Sequence, residues 1–161
     1  MTLRPMRDPD DMPFLFALFH DIRIGELAQT GWPDEQKIEF LTQQFTFQHH
    51  AYTTNYPGAQ LDIVEMEGAS IGRWYVHRGR DDIRVMDIAI APTWRNHGIG
   101  QWLLREVMDE GTAAGKPVTI HVEKMNPAMR LYLRLGFVKI KDAEVYDLLG
   151  WTPQTTKAPA A

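Results

Sequence analysis

The sequence predicts a mixed α/β domain built around one central sheet. Three observations carry this. β-branched runs alternate with segments of helical period, proline and glycine punctuate the boundaries, and 161 residues fill one core with little left for a second. The order read along the chain is strand, two helices, three strands, helix, strand, helix and two strands.

Residues 2–6 read as a short edge strand, because a proline such as Pro5 is tolerated at a sheet edge and not in a central strand. Pro13 opens a helix whose apolar set, Phe14, Leu15, Leu18, Phe19 and Ile22, runs toward Gly25. A second helix begins at Pro33, with Asp34 and Glu35 in the first turn where the dipole favours anions. Ile38, Leu41, Phe45, Tyr52 and Tyr56 keep its period up to Pro57-Gly58, with a break expected near His49-His50. Leu61–Met66 and Ile71–His77 are β-rich and read as a hairpin around Glu67-Gly68-Ala69. Ile83–Ala91 is a third strand whose apolar phase shifts from Ile83 and Val85 to Met86, Ile88 and Ile90, the mark of a bulge. Gly98–Ala114 reads as a helix with Ile99, Leu103, Val107 and Met108 on one face, closed by Gly115 and Pro117. Val118–Val122 is a strand, and Asn126-Pro127 caps and opens a helix that runs to Leu135 and stops at Gly136. Phe137–Ile140 and Val145–Leu149 close the sheet. The domain is expected over residues 1–151, followed by a small, polar, disordered tail over 152–161.

Composition narrows the function. Apolar residues at 44% and charged residues at 24% exclude wholesale disorder, and a net charge of −4 excludes a globally basic nucleic-acid binder. With no cysteine, thiolate metal sites and cysteine nucleophiles are ruled out. No apolar run reaches the ~20 residues of a membrane span. Phe14–Phe19 follows Asp8, Asp10 and Asp11, the wrong charge for a secretory leader, so a soluble cytoplasmic protein is expected. No His-x-x-x-His occurs and His49 and His50 are adjacent, so no metal is expected. Arg78, Arg80 and Arg84 read as a solvated surface, with no nucleic-acid or membrane partner. Gly68-Ala-Ser70-Ile-Gly72 spells the esterase elbow, but that turn needs a helix after it, and β-branched and aromatic residues follow.

The most informative segment is Ile88-Ala89-Ile90-Ala91-Pro92-Thr93-Trp94-Arg95-Asn96-His97-Gly98-Ile99-Gly100-Gln101. A strand runs into a tight loop with glycines two apart, and a helix follows. Free backbone N–H groups at a helix start bind pyrophosphate, and Arg95 adds a charged donor at the edge. The dinucleotide fingerprint is absent because Leu103 stands where its third glycine belongs. The P-loop is absent because Gly100 is followed by Gln101-Trp102.

Arg95-x-x-Gly98-x-Gly100 resembles the acyl-CoA loop of the GNAT (GCN5-related) N-acetyltransferases. Asn126-Pro-Ala-Met-Arg-Leu-Tyr132-Leu-Arg-Leu-Gly136-Phe137 is similar to that family's second signature, and the two stand in the family's order and separation over roughly Leu3 to Trp151. The resemblance implies a mixed, mostly antiparallel sheet of six to seven strands flanked by about four helices. It implies acetyl-CoA as co-substrate, no metal, and a small-molecule, peptide or protein amine as acceptor, in a monomer or homodimer. The pantetheine arm would pair with backbone groups of Ile88, Ala89 and Ile90, as an added strand does. The pyrophosphate would rest on the amides of Asn96, His97, Gly98, Ile99, Gly100 and Gln101. An amine would attack the thioester directly, with Tyr132 protonating the departing thiolate and Asn126 touching the cofactor. His121 is the candidate general base, at a place where some members carry a catalytic glutamate; Glu123 is the weaker alternative on the same face, and Asp87 and Glu26 are further ones. Glu26 and Trp32 are candidates for the acceptor pocket, by charge pairing and cation–π contact, while Trp32 as a helix staple and Tyr132 as a packed aromatic stay open. So does a non-catalytic acyl-CoA-binding module of the same fold.

Overall fold

The structure, a computed structural model, describes residues 1–124 and 126–154; residues 155–161 of the expected tail lie outside the described residues. Seven strands form one sheet in the order β1-β2-β3-β4-β5-β7-β6. They are β1 (Thr2–Pro5), β2 (Gln60–Met66), β3 (Ala69–Arg78), β4 (Ile83–Ile90), β5 (Val118–Glu123), β6 (Val138–Asp142) and β7 (Tyr146–Trp151). The helices are α1 (Met12–Arg23), α2 (Asp34–Asn55), α3 (Ile99–Ala114) and α4 (Met129–Arg134). β1 pairs antiparallel with β2, β5 with β7 and β6 with β7, whereas β4 pairs parallel with β5 over Ile83↔Val118, Arg84↔Thr119 and Val85↔Ile120. The sheet is therefore mixed and mostly antiparallel, as expected.

The chain divides into two compact units, Met1–Tyr75 with Asp87–Ile99, and Val76–Met86 with Gly100 onward. In the first, Leu15 and Phe19 of α1, Leu27, Leu41 and Phe45 of α2, and Ile63 of β2 form one buried cluster. Phe45 meets Phe16 edge-on and Phe19 at a tilt, both at 5.6 Å between ring centres. Such pairs add about 0.5–1.5 kcal/mol to plain burial. α2 runs unbroken through His49-His50, contrary to the expected break. No glycine or proline interrupts it, and His49 is held by Asp8 at 3.1 Å while its ring stacks on Phe45. Ile38, expected on the buried face of that helix, is 48% exposed. Ser70 lies in β3 after the Glu67-Gly68 turn, so the esterase-like string is a hairpin.

In the second unit, α4 starts at Met129, later than the Asn126-Pro127 signal suggested. Asn126 still organises its approach, accepting the Ala128 N–H on Oδ1 at 2.9 Å and the Met129 N–H on its carbonyl at 3.0 Å. The helix closes with paired bonds, from Phe137 N–H to the Tyr132 carbonyl at 3.0 Å and from Gly136 N–H to Leu133 at 3.1 Å. Gly136 sits at φ 103°, where a side chain would be strained, so the glycine sets how the chain leaves Tyr132. Burial in β4 falls cleanly on Ile83 and Val85 and then blurs over Met86–Ile88, where the apolar phase shifts in the sequence.

α1 is tied to the sheet edge by charge. Asp11, 6% exposed, accepts both terminal nitrogens of Arg4 at 2.8 Å and the Arg7 backbone N–H at 2.6 Å. The Arg4 hydrogen bonds hold the Asp11 carboxyl below the usual carboxylate range, against the opposing effect of burial. A carboxyl whose folded value is depressed stabilises fully above its unfolded value, near pH 4, and loses that contribution as pH falls through the folded value. Acid unfolding of the wild type should therefore steepen below about pH 4, and Asp11→Asn should lower stability at pH 7 while flattening that limb, as read by chemical denaturation at both pH values.

Candidate active site

The loop that leaves β4 is a 3-10 turn (Pro92–Trp94) followed by exposed residues Arg95–Gly98 and then α3. Arg95, expected as an edge charge for pyrophosphate, donates its Nε–H to the carbonyl of Ile90 at 2.9 Å and so clasps the strand end. His97 Nδ1 lies 2.8 Å from the Arg95 carbonyl, which only accepts, so this nitrogen carries the proton. Asn96 and Gly98 both adopt left-handed backbone, at φ 62° and 77°. A side chain at Gly98 would meet nothing within 4 Å, so the demand there is conformational. The first-turn N–H groups of α3 have no acceptor within their own helix. This end of α3 fits an anionic phosphate group.

Tyr132 is 3% exposed and packs edge-on against Phe137 at 6.1 Å. Asn126, Tyr132 and Gly136-Phe137 are thus joined in one short helical unit by the bonds described above. Glu123 is half-buried at the end of β5. Glu26 is exposed on the 3-10 turn Ile24–Leu27. Trp32 packs edge-on against Phe40 of α2 at 5.3 Å.

His121 is exposed on β5, and Arg84 Nη1 approaches its Nδ1 at 3.2 Å. Partial burial of the ring, then Arg84 and Lys141, push its pKa below the ordinary histidine value, so the neutral form prevails at pH 7. Arg84 is more than a solvated surface charge. Its Nε–H donates to Thr119 Oγ1 at 2.7 Å, and Thr119 donates to Asp82.

A second charged cluster went unread in the sequence. Arg73, in the middle of β3 and 4% exposed, is paired with Asp87 of β4 and donates to Gln48 Oε1 at 2.7 Å. Tyr52 donates to the same Asp87 carboxylate at 3.1 Å, and the guanidinium lies 5.1 Å from the Tyr75 ring centre. Burial is the largest single influence and opposes the Arg73 charge, but Asp87, Tyr52 and Tyr75 together outweigh it, leaving the guanidinium pKa raised. Burial pushes the Tyr52 and Tyr75 hydroxyls up as well. The available signal was a lone arginine in Ile71-Gly72-Arg73-Trp74-Tyr75-Val76, since a charge in a buried strand requires a partner. Among the described residues no group of three or more His, Asp or Glu is placed to hold a metal ion, and no helix is long and apolar enough to cross a membrane.

The acetyltransferase (GNAT) domain profile matches residues 57–139, just over half of the chain. The chain belongs to the GNAT acetyltransferase family. Among curated proteins it is similar to the Cysteine-rich protein 2-binding protein of Mus musculus, 40% identical over 50 residues; these make up 31% of this chain and only 6% of that one. Among solved structures it resembles the PaiA N-acetyltransferase of Thermoplasma acidophilum in complex with coenzyme A, with a TM-score of 0.70 at 13% identity, covering 94% of this chain and 98% of that one. It also resembles the ribosomal-protein-S18-alanine N-acetyltransferase of Escherichia coli, with a TM-score of 0.62 at 15% identity over 99% and 98% of the two chains. At these identities the structural likeness shows the fold.

Removing one member of a buried ion pair strands the other charge. Asp87→Asn should therefore cost about 3–5 kcal/mol and lower the melting temperature by roughly 6–20 °C. Adding Arg73→Met should restore part of that loss. Purely additive effects in the double-mutant cycle would show that the two charges do not support each other.

Proposed function

We propose that this protein transfers the acetyl group of acetyl-CoA to a primary amine. The observation that carries the reading is the Arg95–Gly100 loop, with left-handed Asn96 and Gly98 leading into the start of a 16-residue helix. On this reading the amides of Asn96–Gln101 receive the pyrophosphate, and backbone groups of Ile88–Ile90 pair with the pantetheine arm. Asn126 contacts the cofactor as well.

The acceptor nitrogen attacks the thioester carbonyl, a C–N bond forms and the C–S bond breaks. The thiolate takes its proton from the Tyr132 hydroxyl, which regains one from solvent, and the proton shed by the new amide nitrogen passes to His121, to Glu123 or to solvent water. Free coenzyme A and the N-acetylated amine are the products. Glu26 and Trp32 are proposed for the acceptor side, Glu26 through its exposed carboxylate and Trp32 through the ring face not engaged by Phe40.

Tyr132→Phe separates catalysis from packing because it keeps the ring. Thiol release with an accepted amine should fall by roughly 10²–10⁴ while the acetyl-CoA dissociation constant stays near wild type. Wild-type turnover by the Phe variant would return Tyr132 to the core. Tight acetyl-CoA binding with no thiol release across a broad amine panel would instead favour a non-catalytic acyl-CoA-binding module.

A further inference from the structure

The strand that leads into the Arg95–Gly100 loop is fastened along one edge beyond its midpoint. The parallel register of β4 with β5 covers Ile83–Val85, and β4 runs on to Ile90. Past that ladder it is held from the β3 side. The Ala91 N–H donates to the Ile71 carbonyl at 2.7 Å, and β3 comes so close at Gly72 that a Cβ there would collide with the Ala89 carbonyl oxygen. Backbone groups of successive strand residues point to opposite edges. Since Ala91 points to β3, Ile90 turns its own N–H and C=O away from it.

That outward carbonyl is taken. Arg95 donates its Nε–H to the Ile90 oxygen at 2.9 Å. The same residue is tied twice more. Its backbone N–H donates to the Pro92 carbonyl at 3.3 Å, and its own carbonyl accepts the His97 Nδ1–H at 2.8 Å. Arg95 is therefore the node that joins the last strand residue, the 3-10 turn and the left-handed Asn96 that follows. Which nitrogen bonds is informative. Nε is the guanidinium nitrogen nearest the chain, and here its single N–H is committed to backbone.

An edge charge for pyrophosphate needs only its outer nitrogens and leaves the inner N–H without a task. We propose that Arg95 is a positioning residue for the acyl-CoA loop, acting on the ligand through the Ile90 carbonyl and the loop backbone. A neutral donor at the same place does the same work, and the positive charge is not what binds acetyl-CoA. Closing that carbonyl also ends the free edge of β4 at the Ile90 N–H. A strand-like ligand segment stops pairing there, so the amide-bearing arm of acetyl-CoA gives way to its phosphates at Ile90. The ligand part rests on the acetyl-transfer reading; the latch on Ile90 does not.

Substitutions at this position separate donor from charge. Glutamine Nε2 stands as many bonds from Cα as arginine Nε, so Arg95→Gln keeps the donor and removes the charge. Arg95→Lys keeps the charge and puts a methylene where the donor was, and Arg95→Met keeps neither. The acetyl-CoA dissociation constant should stay within about threefold of wild type in Arg95→Gln and rise roughly tenfold in both Arg95→Lys and Arg95→Met. Its salt dependence should match wild type in Arg95→Gln, because no charge contact is lost. Near-wild-type binding by Arg95→Lys with weakened binding by Arg95→Gln assigns the side chain to phosphate and overturns the proposal. Wild-type binding by Arg95→Met overturns it too. In the free protein the ¹³C resonance of the Ile90 carbonyl reads the latch without ligand. It should hold its position in Arg95→Gln and move in Arg95→Lys and Arg95→Met, and an unmoved signal in Arg95→Met overturns the latch. Should wild-type protein bind no acetyl-CoA, the acetyl-transfer reading fails, and the carbonyl signal still decides the latch.

Discussion

The passage of the backbone from β4 into α3 is the constraint on which the candidate site depends. A strand that ends in a helix must turn within a few residues. Here the turn is made by the 3-10 segment Pro92–Trp94 and by left-handed backbone at Asn96 and Gly98. Arg95 holds the strand's last carbonyl through its Nε–H, which fixes where the loop departs. The exposed residues Arg95–Gly98 thus lead into the positive end of a helix dipole, which suits an anion. Fold and chemistry meet in that short stretch.

The same sheet carries two charged clusters, and each is governed by the rule that a buried charge must be matched. Arg73 is almost wholly buried and is answered by Asp87, Gln48 and Tyr52. Arg84 is partly exposed and is answered by Thr119, Asp82 and Nδ1 of His121. In the first cluster the partners hold strand and helix residues of one unit together. In the second they gather around an exposed imidazole.

Much of the fold was legible because local rules agreed with one another. Pro5 marks the edge strand, Gly136 the end of α4, and the Gly98–Gly100 spacing the start of α3. Element order and class follow from periodicity, whereas boundaries drift: α4 begins at Met129 and Ile38 turns outward. The continuity of α2 at His49 was illegible because it draws on Asp8, 41 residues away. The charged clusters were illegible for the same reason. Asp87 lies 35 residues from Tyr52, and His121 lies 37 from Arg84, separations over which no spacing rule operates. The motif residues Arg95, Gly98, Gly100, Asn126 and Tyr132 could be read; the partners that orient Arg95, Asp87 and His121 could not.

The central claim is that the backbone amides between Ile88 and Gln101 form the acyl-CoA site. Titrating ¹⁵N-labelled protein with acetyl-CoA and following each amide resonance tests it most directly. The largest shifts should fall on Asn96–Gln101, from the phosphates, and on Ile88–Ile90, from the pantetheine arm. Shifts concentrated elsewhere, or none at millimolar acetyl-CoA, would contradict it.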